Sequence, residues 1–397
     1  ETQISVLVPD LTWDQTVDAR ERFRKTMRFE KVDRPPFCEF IGFWPETIYR
    51  WYREGLPTNV GLHSYSLPIG LGNPPTVYDY FGFDPVGGPF RAESCVGEVA
   101  VDFAPIPRFV QRTLSEDSRY RIEVDESGIT KRVLKAGVSM PGFVDFPVKD
   151  RADWEKSKRR FNPDDPRRLP KNWGGDAIDY YRVVDYPLGI GFPGFFGEAR
   201  NLMGLERLLV AFYKDPRLVS DILEFWADFV IETSRQVVEA VRLDYANIWE
   251  DMSYRTGPLI SPSLFKEFLL RRYKKVTRYL AEEGVETIMV DTDGNHDALT
   301  ALFLEAGVNC IYPLEAQAGM DARVLRKTYG RRLRLIGNID KTALARGKDA
   351  IRSEVEAKLP LTKQGGYIPS VDHAVPSDVP FENYQYYVQL LKDHLQP

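Results

Sequence analysis

The sequence predicts an α/β fold and, within that class, a (β/α)8 TIM barrel with an N-terminal helical arm and a β-hairpin insertion. Three observations carry this. From residue 186 onward, apolar strand candidates alternate with amphipathic helices over about 200 residues, the pattern of parallel strands joined by crossover helices. No GxGxxG follows the first strand candidate, FCEFIGF, and no GxxxxGK[ST] occurs, which favours a closed barrel over the open-sheet nucleotide folds. Successive strands end in acid, amide or imidazole, as barrel strands do when they feed one shared mouth.

The elements follow in order. Residues 1–35 read as an arm whose helix, in TWDQTVDARERFRKTMRFEK, ends before Pro35 and Pro36 because proline cannot continue it. FCEFIGF (37–43) is a short apolar strand. WPETIYRWYREGLP is a helix with Pro45 in its first turn and Gly55 past its end. Residues 57–135 form an insertion rich in Gly, Pro and turn dipeptides. Within it, VAVDFAPI alternates polar and apolar residues, and QRTLSEDSRYRIEVDESGITKRVLKAG predicts an antiparallel hairpin turning at Glu126-Ser127-Gly128. Residues 150–185 are polar helical pieces split by prolines. Six strands then follow: YPLGIGF, YANIWED, TIMVDTDG, VNCIYPLEA, LRLIGNID and GGYIPSVDH. Helices separate them; one is fully punctuated, with Ser261 as N-cap, Pro262 at its first position and Gly284 after its last turn. FENYQYYVQLLKDHL is the terminal helix. The whole of 1–397 reads as one domain.

Composition bounds the function. Hydrophobic residues are 43% and charged residues 28%, enough to bury a core. A net charge of −5 gives no field for nucleic acid or an acidic membrane. No apolar run reaches membrane-spanning length, and the N-terminal stretch lacks a basic region followed by an apolar one. Cys38, Cys95 and Cys310 are odd in number and widely spaced, which argues against a disulfide framework and a cysteine-rich zinc site. A cytoplasmic location is expected.

Chemistry is expected at the strand ends. They offer Glu39, Glu198 and Arg200, Glu250 and Asp251, Asp291 and Asp293, Glu315, Asn338 and Asp340, and Asp372 with His373. Like charges crowded together cost free energy unless a cation, a proton or an arginine compensates them. Asp291 and Asp293, two apart, share one face of a strand. With His373, and Glu250 or Glu315, they make an oxygen-rich set suited to zinc or manganese. Asp293 and Asp340 also suit helix caps. His296 opens a helix and is expected at the surface. Aromatic residues are 13% of the chain and gather near the same elements, among them Phe43 and Trp249. In GFPGFFGEARNLMG (191–204), Phe195 and Phe196 on a glycine-rich loop suggest an apolar wall for a ligand. Phe43, Phe195, Phe196, Glu198, Arg200, Trp249 and Asn338 are the expected substrate-binding residues. Glu250, Glu315 and His373 are the expected catalytic ones.

The ordered series RERFRKTMRFEKVDRPPF, YDYFGFD, GPLISPSLFKEFLLRRYKKV, GNID and GGYIPSVDHAVPSDVPFENY resembles the uroporphyrinogen decarboxylase superfamily over nearly the whole chain. That superfamily includes the decarboxylase and zinc-dependent methyltransferases that pass methyl groups to or from cobalamin or coenzyme M. The resemblance implies a (β/α)8 barrel with its site at the mouth. The decarboxylase's arginine segment, roughly PxWxMRQAGR, has no counterpart in PPFCEFIGFWPETIYRWY, and its FSDI-type segment has none in HSYSLPIGLGNPPTVYDYFGFD. A substrate with eight carboxylates does not suit an acid-lined mouth. The methyltransferases' His-x-Cys-Gly-Asn falls on Asp291-Thr292-Asp293-Gly294-Asn295, and their distant cysteine falls on His373. The set is harder than a thiolate site and less suited to activating a thiol.

The leading expectation is demethylation of an O- or N-methyl substrate, with cobalamin carried by a partner corrinoid protein. A divalent metal, zinc or manganese, would sit on Asp291, Asp293 and His373. The alternatives are decarboxylation of a smaller carboxylate without metal, and binding of a cationic ligand without catalysis. The expected partners are a small-molecule substrate, the corrinoid protein and a second copy of the chain in a homodimer.

Overall fold

The computed structural model describes residues 17–60, 76–84, 97–135 and 141–395. Seven parallel strands form one sheet in chain order: Gly97–Glu98, Leu188–Pro193, Tyr245–Trp249, Thr287–Asp291, Cys310–Tyr312, Arg334–Ile339 and Tyr367–Val371. Crossover helices pack outside them. The alternation of side chains gives this sheet one face toward the helices and one toward an inner core. Leu188, Ile190, Ala246, Ile248, Ile288, Val290, Ile311 and Leu335 face the helices. Tyr245, Met289, Cys310, Tyr312, Ile336 and Ile368 face inward and pack with Phe23 and Phe40 from the N-terminal region. Phe40 reaches Tyr312 with ring centroids 4.7 Å apart.

FCEFIGF departs from its expected strand. It lies beside the last strand but joins the ladder only through a Phe43–Val375 bridge. The carboxylate of Glu39 does the pairing instead: Oε2 accepts from Val371 N and Ser370 Oγ, each at 2.9 Å, and Oε1 from the Tyr384 hydroxyl at 3.0 Å. This side-chain acceptor satisfies the Val371 N–H that a backbone ladder would have met. Phe43 sits among Trp51, Tyr78 and Tyr384, so it belongs to the core and not to a ligand wall.

The expected hairpin is present and larger than expected. Arg112–Glu116, Tyr120–Val124, Thr130–Leu134 and Gly142–Asp145 form a four-stranded antiparallel sheet that runs past residue 135. VAVDFAPI is not a strand; the sheet strand precedes it at Gly97–Glu98. The helix begun at Pro262 contains a π turn over Phe265–Leu269 before resuming as Leu270–Glu282. Helix ends follow the chemistry read from sequence: Ser261 Oγ accepts from Leu264 N, and Gly55 closes Pro45–Glu54. Against the expectation from spacing, Cys38 is disulfide-bonded, while Cys310 is free and buried. No helix among the described residues is long and apolar enough to cross a membrane.

Candidate active site at the barrel mouth

The strand ends converge as expected, and the structure sorts their polar groups into two kinds. Some are spent on the scaffold. Glu250 is fully buried. Its Oε1 accepts from Phe195 N and its Oε2 from Gly197 N, each at 2.8 Å, and the Tyr273 hydroxyl donates to it as well. It therefore caps the helix Phe195–Met203 from the next strand. A β-carbon on Gly194 would collide with this carboxyl, so the glycine-rich turn exists to let the helix start approach Glu250. Burial pushes Glu250 up to about 7 against the hydrogen bonds of Tyr273, Gly197 and Phe195. Phe195 and Phe196 are buried in the helix start; the expected wall of exposed phenylalanines is absent because that loop is helical and packed inward.

Asn338 is also structural. Its Oδ1 accepts from Ala322 N at 2.8 Å, and its Nδ2 donates to Leu314 O at 2.8 Å and Met320 O at 2.9 Å. This leaves its side chain no free donor for a substrate. Asp372 accepts from Ala316 N and Lys341 N, each at 2.9 Å. Asp340 caps the helix Lys341–Arg346, whereas the cap position of Asp297–Glu305 is His296, not Asp293. His296 is fully buried, contrary to its expected surface position. The turn before it folds beneath the hairpin Ser253–Pro258, with Asn295 N donating to Tyr254 O at 2.8 Å. Its Nδ1 lies 3.1 Å from Thr300 Oγ1, and burial lowers its pKa to about 4.

The second kind faces the open mouth. Asp291 pairs in register with Trp249 on one side and Tyr312 on the other. Burial, then the nearby charges of Asp293 and Asp251, hold its carboxyl well above the ordinary carboxylate range. The Tyr312 hydroxyl, beside Asp291, donates to Asn247 Oδ1 at 3.0 Å, and Asn247 in turn bonds Glu98. Gly191 makes room for that chain, since a β-carbon there would lie 2.5 Å from Glu98 Oε2. His373 Nε2 lies 3.4 Å from Asp293 Oδ2, and its ring stacks on Trp44 with centroids 6.3 Å apart. Burial lowers the His373 pKa, but Asp293 outweighs it and the net shift is upward. Glu315 accepts from Lys341 Nζ at 2.7 Å and from Gly294 N at 2.9 Å. Arg200 pairs with Asp251 at 3.0 Å and lies 5.0 Å over the Trp249 ring.

Sequence reading missed Lys341, Tyr312, Asn247 and Glu98. Strand parity marks Tyr312 and Asn247 as inward-facing, so the signal for those two was present. Lys341 answers the charge problem: with Arg200 and His373 it compensates the acids, each paired with one carboxylate. Glu198 is 7% exposed, with one long hydrogen bond from Asn201 at 3.4 Å. Burial pushes it up from 4.5 to about 8. A carboxyl raised in the folded state stabilises while protonated, and this is lost as pH rises through its folded value. The thermal midpoint of the wild-type chain, measured against Glu198→Gln, is expected to fall from about pH 4.5 to about pH 8 and then level off. A difference that is flat or rises with pH contradicts this placement of Glu198.

The mouth does not assemble the expected metal set. Among the described residues, no group of three or more His, Cys, Asp or Glu side chains is arranged to hold a metal ion. His373 is turned onto Asp293, while Glu250 and Glu315 are committed to backbone N–H groups and to Tyr273 or Lys341. Zinc or manganese does not fit these residues as they stand.

A parallel α/β barrel with a carboxyl of raised pKa and paired charges at the strand C-termini is the architecture of a barrel enzyme. Residues 162–394 match the uroporphyrinogen decarboxylase (URO-D) family, and the chain belongs to that family. It is 28% identical over 185 residues to uroporphyrinogen decarboxylase of Helicobacter acinonychis, covering 45% of this chain and 50% of that one. It is 30% identical over 139 residues to that of Carboxydothermus hydrogenoformans, covering 34% and 37%. The chain thus spans about half the length, or less, of the curated relatives it matches. Among solved structures, a methyltransferase from Methanosarcina mazei is similar, with a TM-score of 0.62 and 17% identity over 95% of this chain and 99% of that one. At that identity the likeness establishes the fold.

Proposed function

We propose that this chain transfers a methyl group from an oxygen or nitrogen of a small molecule to a nucleophile brought by a second molecule, with Asp291 as the acid. The observation that carries the reading is a carboxyl at the C-terminal end of a central strand, in register with Trp249 and Tyr312, whose pKa burial and the charges of Asp293 and Asp251 raise. Such an acid suits a leaving heteroatom. The carbon–oxygen bond breaks with its electron pair on oxygen, oxygen takes the Asp291 proton, and the methyl carbon bonds to the nucleophile. Asp291 is then recharged from solvent, with the Tyr312 hydroxyl beside it. A reduced corrinoid on a partner protein is the proposed acceptor, and it would supply a cobalt nucleophile. Arg200 and Lys341 at the mouth are already paired, which disfavours a polycarboxylate substrate.

The test is methyl-corrinoid formation from a panel of methoxy and methylamino compounds. Product with at least one member, undiminished after chelation, is the expected result. Silence across the panel with a loaded acceptor overturns it. Decarboxylation of a small carboxylic acid is the second reading, favoured by the kinship with decarboxylases. Release of CO2 without methyl transfer would put it first.

A further inference from the structure

Between the inserted antiparallel sheet and the helices Phe195–Met203 and Leu205–Lys214 lies a cavity of about 850 Å³, within the size range of small-molecule sites. Its outer wall carries Phe143, Phe146 and Val210. Phe143 and Val210 stand 54% and 57% exposed. Its inner end is Trp249, with Arg200 and Asp251. Two of its lining residues adjoin the Asp291 carboxyl: Trp249 is the in-register strand neighbour of Asp291, and Asp251 is close enough for its charge to act on it. Adjacent strands lie about 5 Å apart.

We propose that this cleft seats the flat, uncharged aromatic body of the substrate, so that the substrate class is aryl methyl ethers. Aromatic rings gain from offset and edge contacts with other rings, and Phe143, Phe146 and Trp249 offer them along one channel. Arg200 lies over the Trp249 ring at 5.0 Å and donates to Asp251 Oδ2 at 3.0 Å and Asp251 O at 2.8 Å. The inner end is therefore charge-neutral and fixed, which disfavours an ionic substituent on the ring. A methyl ether on the ring edge nearest the strands reaches the Asp291 side of Trp249.

The choice of reacting atom rests on the methyl-transfer reading; the binding site does not. The experiment is a calorimetric titration of the full chain, with no methyl acceptor, using 4-methoxyphenol and tert-butyl methyl ether as probes. The aryl ether is expected to bind about tenfold tighter or more than the aliphatic one. Phe143→Ala and Val210→Glu are each expected to weaken aryl binding about two- to tenfold. Both side chains are more than half exposed, so neither change should lower the thermal midpoint. Equal affinity for the two ethers, or aryl affinity unchanged in both variants, overturns the cleft assignment. Selective aryl binding with no methyl transfer to any acceptor would sink the transfer reading and leave the cleft standing. Methyl transfer from aliphatic donors with no aryl binding would do the reverse.

Discussion

Replacing Asp291 by Asn is expected to lower turnover about 10²–10⁴-fold, the range seen when a general acid is removed. Asn has nearly the same shape and cannot deliver the proton, so substrate affinity should stay within a few-fold. The pH profile separates this from a structural loss. The acid form of Asp291 is the active one, and its pKa is raised. Wild-type activity should therefore fall as pH rises through that raised value, and the remaining activity of Asp291→Asn should lack this limb. Stability has a matching sign. A raised carboxyl contributes most below its unfolded pKa and loses that contribution as pH rises through the folded one. Near neutral and alkaline pH, the Asn variant should be at least as stable as wild type. A variant that keeps full activity, or that unfolds, contradicts the role given to Asp291.

Glu250→Ala should have the largest effect on stability. It strands the N–H groups of Phe195 and Gly197 and the hydroxyl of Tyr273 in a fully buried place. Each orphaned buried donor costs about 1–3 kcal/mol, and breaking such a network costs about 3–5 kcal/mol in total. Urea unfolding should show a midpoint shifted down accordingly. Glu250→Gln keeps one acceptor and should recover part of the loss. A stable Ala variant that has lost only activity would instead restore Glu250 to the acid or ligand role first expected of it.

These two residues show what the sequence could and could not disclose. Both end apolar strands, and both were read as chemistry-bearing for that reason. Asp291 remains at the open mouth, whereas Glu250 is consumed by backbone donors of a helix that starts 55 residues earlier in the chain. Nothing in local spacing records such a partnership. The same holds for Asn338, whose amide ties together Leu314, Met320 and Ala322. The later strands were legible because continuous apolar runs bounded by Gly and Pro need no tertiary partner to be recognised. The segment 37–43 was not, because its edge is completed by the Glu39 side chain. Burial of His296 was hidden for a similar reason: a hairpin from the preceding strand end covers it. Lys341 was overlooked because a lysine after a strand reads as solvated surface until Glu315 and Asp372 are placed around it.

The charge economy of the mouth follows from these placements. Lys341, Arg200 and His373 each take one acid, while Asp291 has no cation of its own among the described residues and its pKa is raised; the proposed role requires that it keep its proton at neutral pH. Infrared difference spectroscopy between the wild-type chain and Asp291→Asn at neutral pH tests that most directly. A protonated-carboxyl C=O band present in wild type and missing from the variant is the predicted result. A difference spectrum showing only an ionised carboxylate at that position would contradict it.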